Sequence, residues 1–400
     1  MTRIKRSRLG PFSLRKEEAM RVLLFSKAAV RAVYHKQYEH ITAQRDVEEL
    51  TVVVPPYWNE PHVGRLTLEE VYPRNYTLKV TPLRWNGQYH LYYAPLLPRL
   101  IRELRPDLVH IDEEVYNFAT FHAALAARRI AADTVAFCWQ NIYRRYPPPF
   151  CWFEKLLARI LSGVIAGNAD AAGVLEQKGF RIPIDIIPQY GVDTETFTPA
   201  TPAATPPFRV GYLGRLVPAK GIDVLLESLR QCPDSCEAWI GGEGDVSVWR
   251  KQAERLGIAH RVHWVGAVPS KQVPDFLRSL HGLVLPSRTT PRWKEQFGRV
   301  LVEAMACGVP VIGSDSGEIP RVIGEAGFVF PEGDAHQLAQ HIRLLSEQTD
   351  TWKALSCAAR ERAVRHFSME KVAEAHVTFW KSVSKTPKQS KPLTRATDRG

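Results

Sequence analysis

Residues 286–317 read PSRTTPRWKEQFGRVLVEAMACGVPVIGSDSG, and the alternation of apolar and turn residues around this stretch decides the fold. An apolar run, Gly282–Leu285, ends just before it. A loop then leads to a helix that we predict to begin near Gly298 and to end before Gly308, where a second apolar run, Val309–Gly313, begins. Two short apolar strands joined by a helix predict one βαβ unit of a parallel sheet that is covered on both faces.

The same alternation continues on both sides of this unit, and it is interrupted once. Residues 199–207 (PATPAATPP) have neither a helical nor a strand pattern and predict a linker. We therefore predict an α/β protein of two doubly wound Rossmann-like domains that face each other across a cleft, with ligands at the carboxyl ends of the strands. The predicted strands are 21–25, 51–54, 108–111, 134–137, 165–167 and 184–187 before the linker, and 208–213, 238–240, 262–265, 282–285 and 309–313 after it. The predicted helices include one around 118–129 before the linker, and 271–279 and 351–366 after it.

The predicted domain boundaries follow from this pattern. They are a basic tail over residues 1–20, an N-terminal domain over 21–198, the linker 199–207, a C-terminal domain over 208–366, one more amphipathic helix over 367–384 and a second basic tail over 385–400. We expect both tails to be disordered because neither has an apolar pattern.

The net charge of the 400 residues is +11, and part of it lies in the two tails. A basic surface suits nucleic acid, anionic lipid or phosphorylated substrates. The sequence has neither zinc-finger spacing nor an aromatic-basic RNA-binding run, so we expect no nucleic-acid partner. Two interpretations of the tails stay open, since they are either solvated segments or contacts to an anionic membrane surface.

The location follows from what the sequence lacks. No run approaches the roughly 20 apolar residues of a membrane-spanning helix, and the basic start has no apolar stretch typical of a secretory signal. We therefore expect a cytoplasmic protein, either free or peripheral at the inner face of the membrane. The six cysteines have no disulfide or metal-site spacing, so we expect reduced thiols and no metal.

A first group of candidate site residues follows strand 208–213. The chain reads GYLGRL over residues 211–216 and reaches Lys220 just before a helix. Arg215 offers a planar fork of donors and Lys220 a compact charge, which together suit a diphosphate. The alternative is an ordinary strand-to-helix turn with two solvated cations. The spacing differs from G-x-G-x-x-G, which disfavours a nicotinamide or flavin cofactor.

A second group lies in the opening stretch. Glu295 precedes the helix, beside the backbone amides of Phe297, Gly298 and Arg299, which are unpaired donors at a positive helix end. A carboxylate beside such donors can bind the hydroxyls of a sugar, and Glu303, two turns further on, can accept from the hydroxyls of a ribose. The alternatives are a helix-dipole partner for Glu295 and a surface charge for Glu303.

Residues 295–324 (EQFGRVLVEAMACGVPVIGSDSGEIPRVIG) resemble the signature of glycosyltransferase family 4, also called glycosyl transferases group 1, with Glu295 and Glu303 in its E-x7-E pattern. Three further segments resemble elements of the same family: GRLVPAKG (214–221), IPQYGVDTETFTP (187–199) and FSMEKVAEAHVTFWK (367–381). The last resembles the closing helix that crosses back to the N-terminal domain.

The resemblance implies a GT-B fold and a retaining hexosyltransferase that uses a nucleotide-diphosphate sugar, without a cofactor or metal, and a glycan or lipid-linked acceptor. It implies that Arg215 and Lys220 bind the diphosphate and stabilise the leaving group. Glu295, with the amides of Phe297 and Gly298, would orient the sugar. The remaining implied contacts to the nucleotide are Glu303 at the ribose, Arg299, and the pocket residues Gly242 and Val265, which are equally consistent with turns that follow strands.

The N-terminal domain departs from the family pattern. Lys27 stands near the position of a glycine pair, and Gln140 and Asn141 stand where many members have a histidine. Neither amide is a general base, so handling of the acceptor falls to Asp112 and Glu113 after strand 108–111. The alternative for these two carboxylates is a solvated acidic helix start.

Residues 143–146 (YRRY) suit a phosphate- or lipid-linked acceptor, or alternatively a surface loop.

Other functions are less consistent with these patterns. A nucleotide-sugar epimerase conflicts with the E-x7-E placement, and a phosphorylase needs a pyridoxal lysine and a longer chain. An inactive GT-B scaffold of a glycan-assembly complex stays open, although the presence of Arg215, Lys220, Glu295 and Glu303 disfavours it.

Overall fold

The computed structural model describes residues 19–61, 64–200 and 207–384. The predicted tails, apart from residues 19 and 20, and residues 201–206 of the predicted linker lie outside this range.

The first half of the chain forms a seven-stranded parallel sheet and a separate antiparallel hairpin. Its strands are β1 (Met20–Phe25), β2 (Val47–Val54), the hairpin strands β3 (Tyr57–Glu60) and β4 (Gly64–Thr67), β5 (Thr77–Val80), β6 (Leu108–Ile111), β7 (Asp133–Cys138), β8 (Gly163–Ala166) and β9 (Ile184–Ile186). Its helices are α1 (His35–Thr42), α2 (Leu97–Leu104), α3 (Phe118–Arg129), α4 (Phe150–Ile160) and α5 (Ala169–Gln177). The sheet order is β5-β2-β1-β6-β7-β8-β9.

The second half forms a six-stranded parallel sheet. Its strands are β10 (Phe208–Leu213), β11 (Cys236–Gly241), β12 (Val262–Gly266), β13 (Gly282–Leu285), β14 (Val311–Ser314) and β15 (Gly327–Phe330), in the order β12-β11-β10-β13-β14-β15. Its helices are α6 (Ile222–Arg230), α7 (Ser247–Arg255), α8 (Val273–Arg278), α9 (Arg299–Ala306), α10 (Ile319–Ile323), α11 (Ala335–Glu347) and α12 (Thr349–Arg362), and α13 (Met369–Val383) follows.

In both sheets the order in which strands are added reverses next to the first strand. The order reverses between β1 and β6 in the first sheet and between β10 and β13 in the second. Central strands are buried on both faces, as in Leu108–Ile111, which explains their unbroken apolar runs. In such doubly wound sheets, ligands bind at the carboxyl ends of the strands beside the reversal. These four strand ends therefore define where a site is expected.

The last helix, α13, packs against the first domain. Val377, Trp380 and Val383 belong to the first hydrophobic core rather than to the second. The two segments that pass between the domains lie side by side, because Val192 forms a parallel bridge with Ser368. Ser368 also caps α13 by accepting a hydrogen bond from the backbone amide of Lys371. The first domain is thus built from two separate parts of the chain.

The predicted two-sheet architecture agrees with the structure, and several local details differ. The hairpin β3–β4 and strands β5 and β15 were not predicted. The helix predicted over 351–366 begins at Thr349 and ends at Arg362, where a wider π-helical turn follows over Ala363–Phe367. The helix predicted over 271–279 is a 3-10 turn followed by the short α8.

Candidate active site

The two predicted groups of the C-terminal domain meet at Lys220 and Glu295. The Lys220 Nζ atom lies 2.5 Å from Glu295 Oε2, and Ser287 Oγ donates to the same oxygen over 2.8 Å. Glu295 is only 8% exposed, and the ring of Trp293 lies 4.7 Å from Lys220 Nζ. The alternative that Lys220 is a solvated cation is therefore wrong, because its charge is desolvated and paired.

The loop that carries Glu295 is fixed by a close backbone contact. Gly317 has φ +56°, and a Cβ atom there would lie 2.0 Å from the carbonyl oxygen of Glu295. The amide of Glu318 donates to that same carbonyl over 3.2 Å. Glycine is required at 317 because any side chain would push the loop away. The strand end after β14 thereby sets the position of the Glu295 carboxylate.

Arg215 follows β10 and is exposed, and its side chain makes no hydrogen bond within the described part of the chain. Its backbone is held because Tyr212 Oη donates to the Arg215 carbonyl over 2.8 Å. Gly242 has φ +140°, and a Cβ atom there would lie 1.7 Å from the carbonyl oxygen of Gly214. The turns after β10 and β11 are therefore in direct contact, while Val265, on β12, is 41% exposed.

Glu303 forms a partly buried ion pair with Arg299. Arg299 Nε lies 2.8 Å from Glu303 Oε1, one helical turn apart, and the Glu303 side chain is 14% exposed. Burial raises the pKa of the Glu303 carboxyl, and the Arg299 charge opposes that shift. The guanidinium of Arg299 also lies 5.1 Å from the ring of Tyr34 in the first domain. The alternative of a surface charge is therefore wrong for Glu303.

Helix α9 begins with free donors. Gly298 has φ +75° and precedes the helix without a side-chain cap. The backbone amides of Phe297, Gly298 and Arg299 donate to no other residue that the structure describes. Such amides at a helix start favour an anion or polar oxygens. They lie next to the Glu295 loop, as the sequence predicted.

On the first domain, Asp112 is buried in a network of donors. Ser26 Oγ donates to it over 2.5 Å, Gln189 Nε2 over 2.7 Å and Tyr190 Oη over 3.1 Å. Burial raises the pKa of the Asp112 carboxyl, although these hydrogen bonds oppose the shift. The alternative of a solvated acidic helix start is wrong here. Gln189 and Tyr190, which the sequence did not single out, lie in the matched crossing segment 187–199.

Glu113 is likewise buried and is bound by Lys27, whose Nζ atom lies 2.5 Å from Glu113 Oε2. That ammonium is 5.5 Å from each of three aromatic rings, namely Trp58, Tyr89 and Tyr92. The structure thus places the Lys27 charge at the carboxyl end of β1, where the sequence suggested it. The aromatic residues around it were not predicted, because they come from the hairpin and from an irregular loop.

Gln140 and Asn141 lie at the contact between the domains. Asn141 Nδ2 donates to the Lys294 carbonyl over 3.3 Å, and Gln140 Oε1 accepts from Lys178 Nζ over 2.8 Å. Lys294 also pairs with Asp170 across the domains over 2.6 Å. A cavity of about 440 Å³ opens beside these contacts. Asn141 therefore contacts the Glu295 loop, whereas the hydrogen bonds of Gln140 stay within the first domain.

The described residues contain no group of His, Cys, Asp or Glu side chains that could hold a metal ion. The six cysteines form no disulfide in the structure. Among the helices that the structure describes, none is both long and apolar enough to cross a membrane.

The fold is GT-B. The crystal structure of HepE from Anabaena in complex with UDP matches 91% of this chain and 100% of its own, with a TM-score of 0.69 and 21% identity. A glycosyltransferase from Rickettsia africae matches 93% of this chain and 100% of its own, with a TM-score of 0.69 and 18% identity. At these identities the likeness establishes the fold alone.

Two family models match consecutive parts of the chain. Glycosyltransferase Family 4 matches residues 43–196, and Glycosyl transferases group 1 matches residues 193–362. The chain therefore belongs to glycosyltransferase family 4, which is also called glycosyl transferases group 1.

Two curated relatives are mycobacterial mannosyltransferases. The phosphatidyl-myo-inositol mannosyltransferase of Mycobacterium leprae is 31% identical over 243 residues, which are 58% of this chain and 61% of the relative. The GDP-mannose-dependent alpha-(1-6)-phosphatidylinositol monomannoside mannosyltransferase of Mycolicibacterium smegmatis is 31% identical over 192 residues, 44% of this chain and 50% of the relative. The chain thus spans between half and two thirds of the length of these relatives.

Proposed function

We propose that the chain is a retaining hexosyltransferase that moves a sugar from a nucleotide-diphosphate sugar to a hydroxyl of a glycan or lipid-linked acceptor. The observation that supports this most is the buried contact of Lys220 with Glu295, beside the free amides at the start of α9. One cation, one carboxylate and several amide donors are the groups that a phosphate and a hydroxylated ring require. The relatives named above are mannosyltransferases, one of them GDP-mannose-dependent.

In the proposed reaction, the bond between the anomeric carbon and the diphosphate oxygen breaks, a bond to the acceptor oxygen forms, and the proton of the acceptor hydroxyl leaves with the diphosphate. Lys220 and Arg215 bind the diphosphate, and their positive charges stabilise it most when the leaving charge develops. Lys220 exchanges its contact with Glu295 for the phosphate, which frees the carboxylate to accept from the sugar hydroxyls. Glu303 accepts from the ribose, while Gly242 and Val265 line the nucleotide pocket.

The acceptor side is assigned to the first domain. Three donors hold the Asp112 carboxylate and Lys27 holds that of Glu113, so both carboxylates have fixed positions. We propose that they orient the acceptor. We also propose that the protein is cytoplasmic and that its basic tails contact an anionic membrane surface.

Donor binding tests this function. We expect one of the UDP-, GDP- or ADP-sugars to raise the melting temperature of the protein and to be hydrolysed slowly without acceptor. In Glu303→Ala and Arg215→Ala the donor Kd should rise about tenfold or more, since each loses a hydrogen bond to a charged group. Arg250→Ala, an exposed residue of α7, is the matched control and should bind donor like the wild type. A folded wild type that responds to no donor would refute the proposal and favour the scaffold.

Metal removal gives a second test. We expect donor hydrolysis to continue unchanged after exhaustive treatment with EDTA, because the proposed stabilisation of the leaving group comes from Arg215 and Lys220. Initial rates with EDTA and with added Mg²⁺ or Mn²⁺ are to be compared. A rate that is lost with EDTA and restored by one divalent ion would contradict this part of the mechanism.

A further inference from the structure

A second charged cavity lies on the first domain, outside the contacts assigned above to the donor. It encloses about 300 Å³ between the loop before α4, the first turns of α4 and the end of α5. Its charged and hydrogen-bonding lining includes Arg144, Arg145, Tyr146, Glu154, Lys155 and Lys178.

The cavity has an excess of positive charge. Its carboxylate, Glu154, is bound by Lys178, and both side chains are buried. Arg145 and Lys155 are exposed and have no ion pair with any residue that the structure describes. Arg144 donates one hydrogen bond to the carbonyl of Arg292 over 2.9 Å and pairs with no described carboxylate. The cations that converge here therefore lack a counter-charge within the described protein.

The wall of the cavity is ordered by packing. The ring of Tyr146 lies 4.3 Å from that of Tyr116, and Lys178 Nζ lies 4.7 Å from the Tyr146 ring. Burial raises the pKa of the Tyr146 phenol to about 12, so that it keeps its proton at neutral pH and can donate. A rigid donor and several unpaired cations around a small cavity match a phosphate group.

The cavity is close to the proposed site of transfer. Asn141 contacts the carbonyl of Lys294, the residue next to Glu295. Arg145 lies four positions after Asn141, and four residues of extended chain span at most about 14 Å. A second link joins Arg144 to Arg292 in the same loop. An acceptor hydroxyl near Glu295 and an anionic group in the cavity can thus belong to one molecule.

We infer that this cavity binds a phosphate group of the acceptor, so that the acceptor is a phosphorylated hydroxyl compound rather than a neutral glycan. The inference rests on the proposed function for the role of the bound molecule, but not for the binding of phosphate itself. Two sources share this chemistry, a soluble sugar or polyol phosphate and the phosphate of a lipid headgroup.

Phosphate binding is the direct test, and inorganic phosphate is the probe. The test protein carries Arg145→Gln and Lys155→Gln, and the control carries Arg128→Gln and Arg159→Gln, which remove the same charge from exposed positions outside the cavity lining. All proteins also carry Arg215→Ala, which weakens phosphate binding at the donor site. We expect the phosphate Kd to rise about tenfold in the test protein and to stay unchanged in the control.

A vesicle arm separates the two sources. Sedimentation is to be compared with phosphatidylcholine vesicles that contain or lack phosphatidylglycerol. Binding to anionic vesicles that is weakened in the test protein, but not in the control, indicates a lipid headgroup. Phosphate binding in the cavity without a difference in vesicle binding indicates a soluble phosphorylated acceptor.

Equal phosphate affinity in the test and control proteins would overturn the inference. Donor hydrolysis by the protein with Arg215 intact is measured separately. Absence of donor turnover together with phosphate binding in the cavity would refute the transferase and leave the phosphate site standing.

Discussion

Lys220→Met is expected to lower the rate of donor cleavage by about 10²- to 10³-fold, the usual effect of removing one preorganised group that stabilises developing charge. The methionine side chain is nearly as long as that of lysine, so the substitution removes the charge while the space stays filled. Lys220 is desolvated against Trp293 and Glu295. Its electrostatic interaction with the leaving group is therefore stronger than that of a solvated lysine. Initial rates at saturating donor, measured by nucleotide release, give this effect.

The same change leaves the Glu295 carboxylate buried without its cation, which destabilises the fold. We therefore compare it with the double variant Lys220→Met and Glu295→Gln, in which the uncompensated charge is gone. The double variant should regain thermal stability but not activity. Lys251→Met, an exposed residue of α7, is the control for introducing methionine. Wild-type turnover by Lys220→Met would show that another group stabilises the leaving diphosphate.

Trp380→Ala is expected to lower the free energy of unfolding of the first domain by about 3–5 kcal/mol, the range for removing a buried aromatic side chain. Trp380 is fully buried, and its Nε1 atom donates to His110 Nδ1 over 3.1 Å. The substitution leaves a cavity, and it leaves the buried His110 Nδ1 atom without its hydrogen-bond donor. Urea unfolding followed by circular dichroism measures the loss.

Trp152→Ala is the matched control, because Trp152 is 61% exposed on α4 and its loss should cost little. Trp380→Phe should recover part of the stability by filling most of the space. If Trp380→Ala unfolded at the same urea concentration as the control, α13 would not be an integral part of the first core.

The sequence was informative wherever a pattern repeats locally. Buried parallel strands have unbroken apolar runs, and helix 118–129 was predicted with its observed bounds. Strand β5 was missed because its four residues, TLKV, contain no unbroken apolar run, and three of the four are exposed. The hairpin β3–β4 was missed for a similar reason, since its second strand is polar and mostly exposed.

The candidate site was predictable as a set of residues and only partly as a set of contacts. The pair of Arg299 and Glu303 follows from helical spacing, since residues four apart share a face. The contact between Lys220 and Glu295 joins residues 75 positions apart and depends on how two strand ends meet. The network around Asp112 includes Tyr190 from the crossing segment, and no local pattern brings them together.

Because α13 completes the first core, the order of synthesis and the order of folding cannot coincide. Residues 20–187 leave the ribosome long before Met369–Val383 are made, and until then the apolar surface that α13 covers stays open to water. All strands and helices of the second domain, in contrast, are synthesised before α13. A nascent chain of this protein therefore exposes an apolar surface from the synthesis of the first sheet until α13 is made, and such a surface is a target for chaperones.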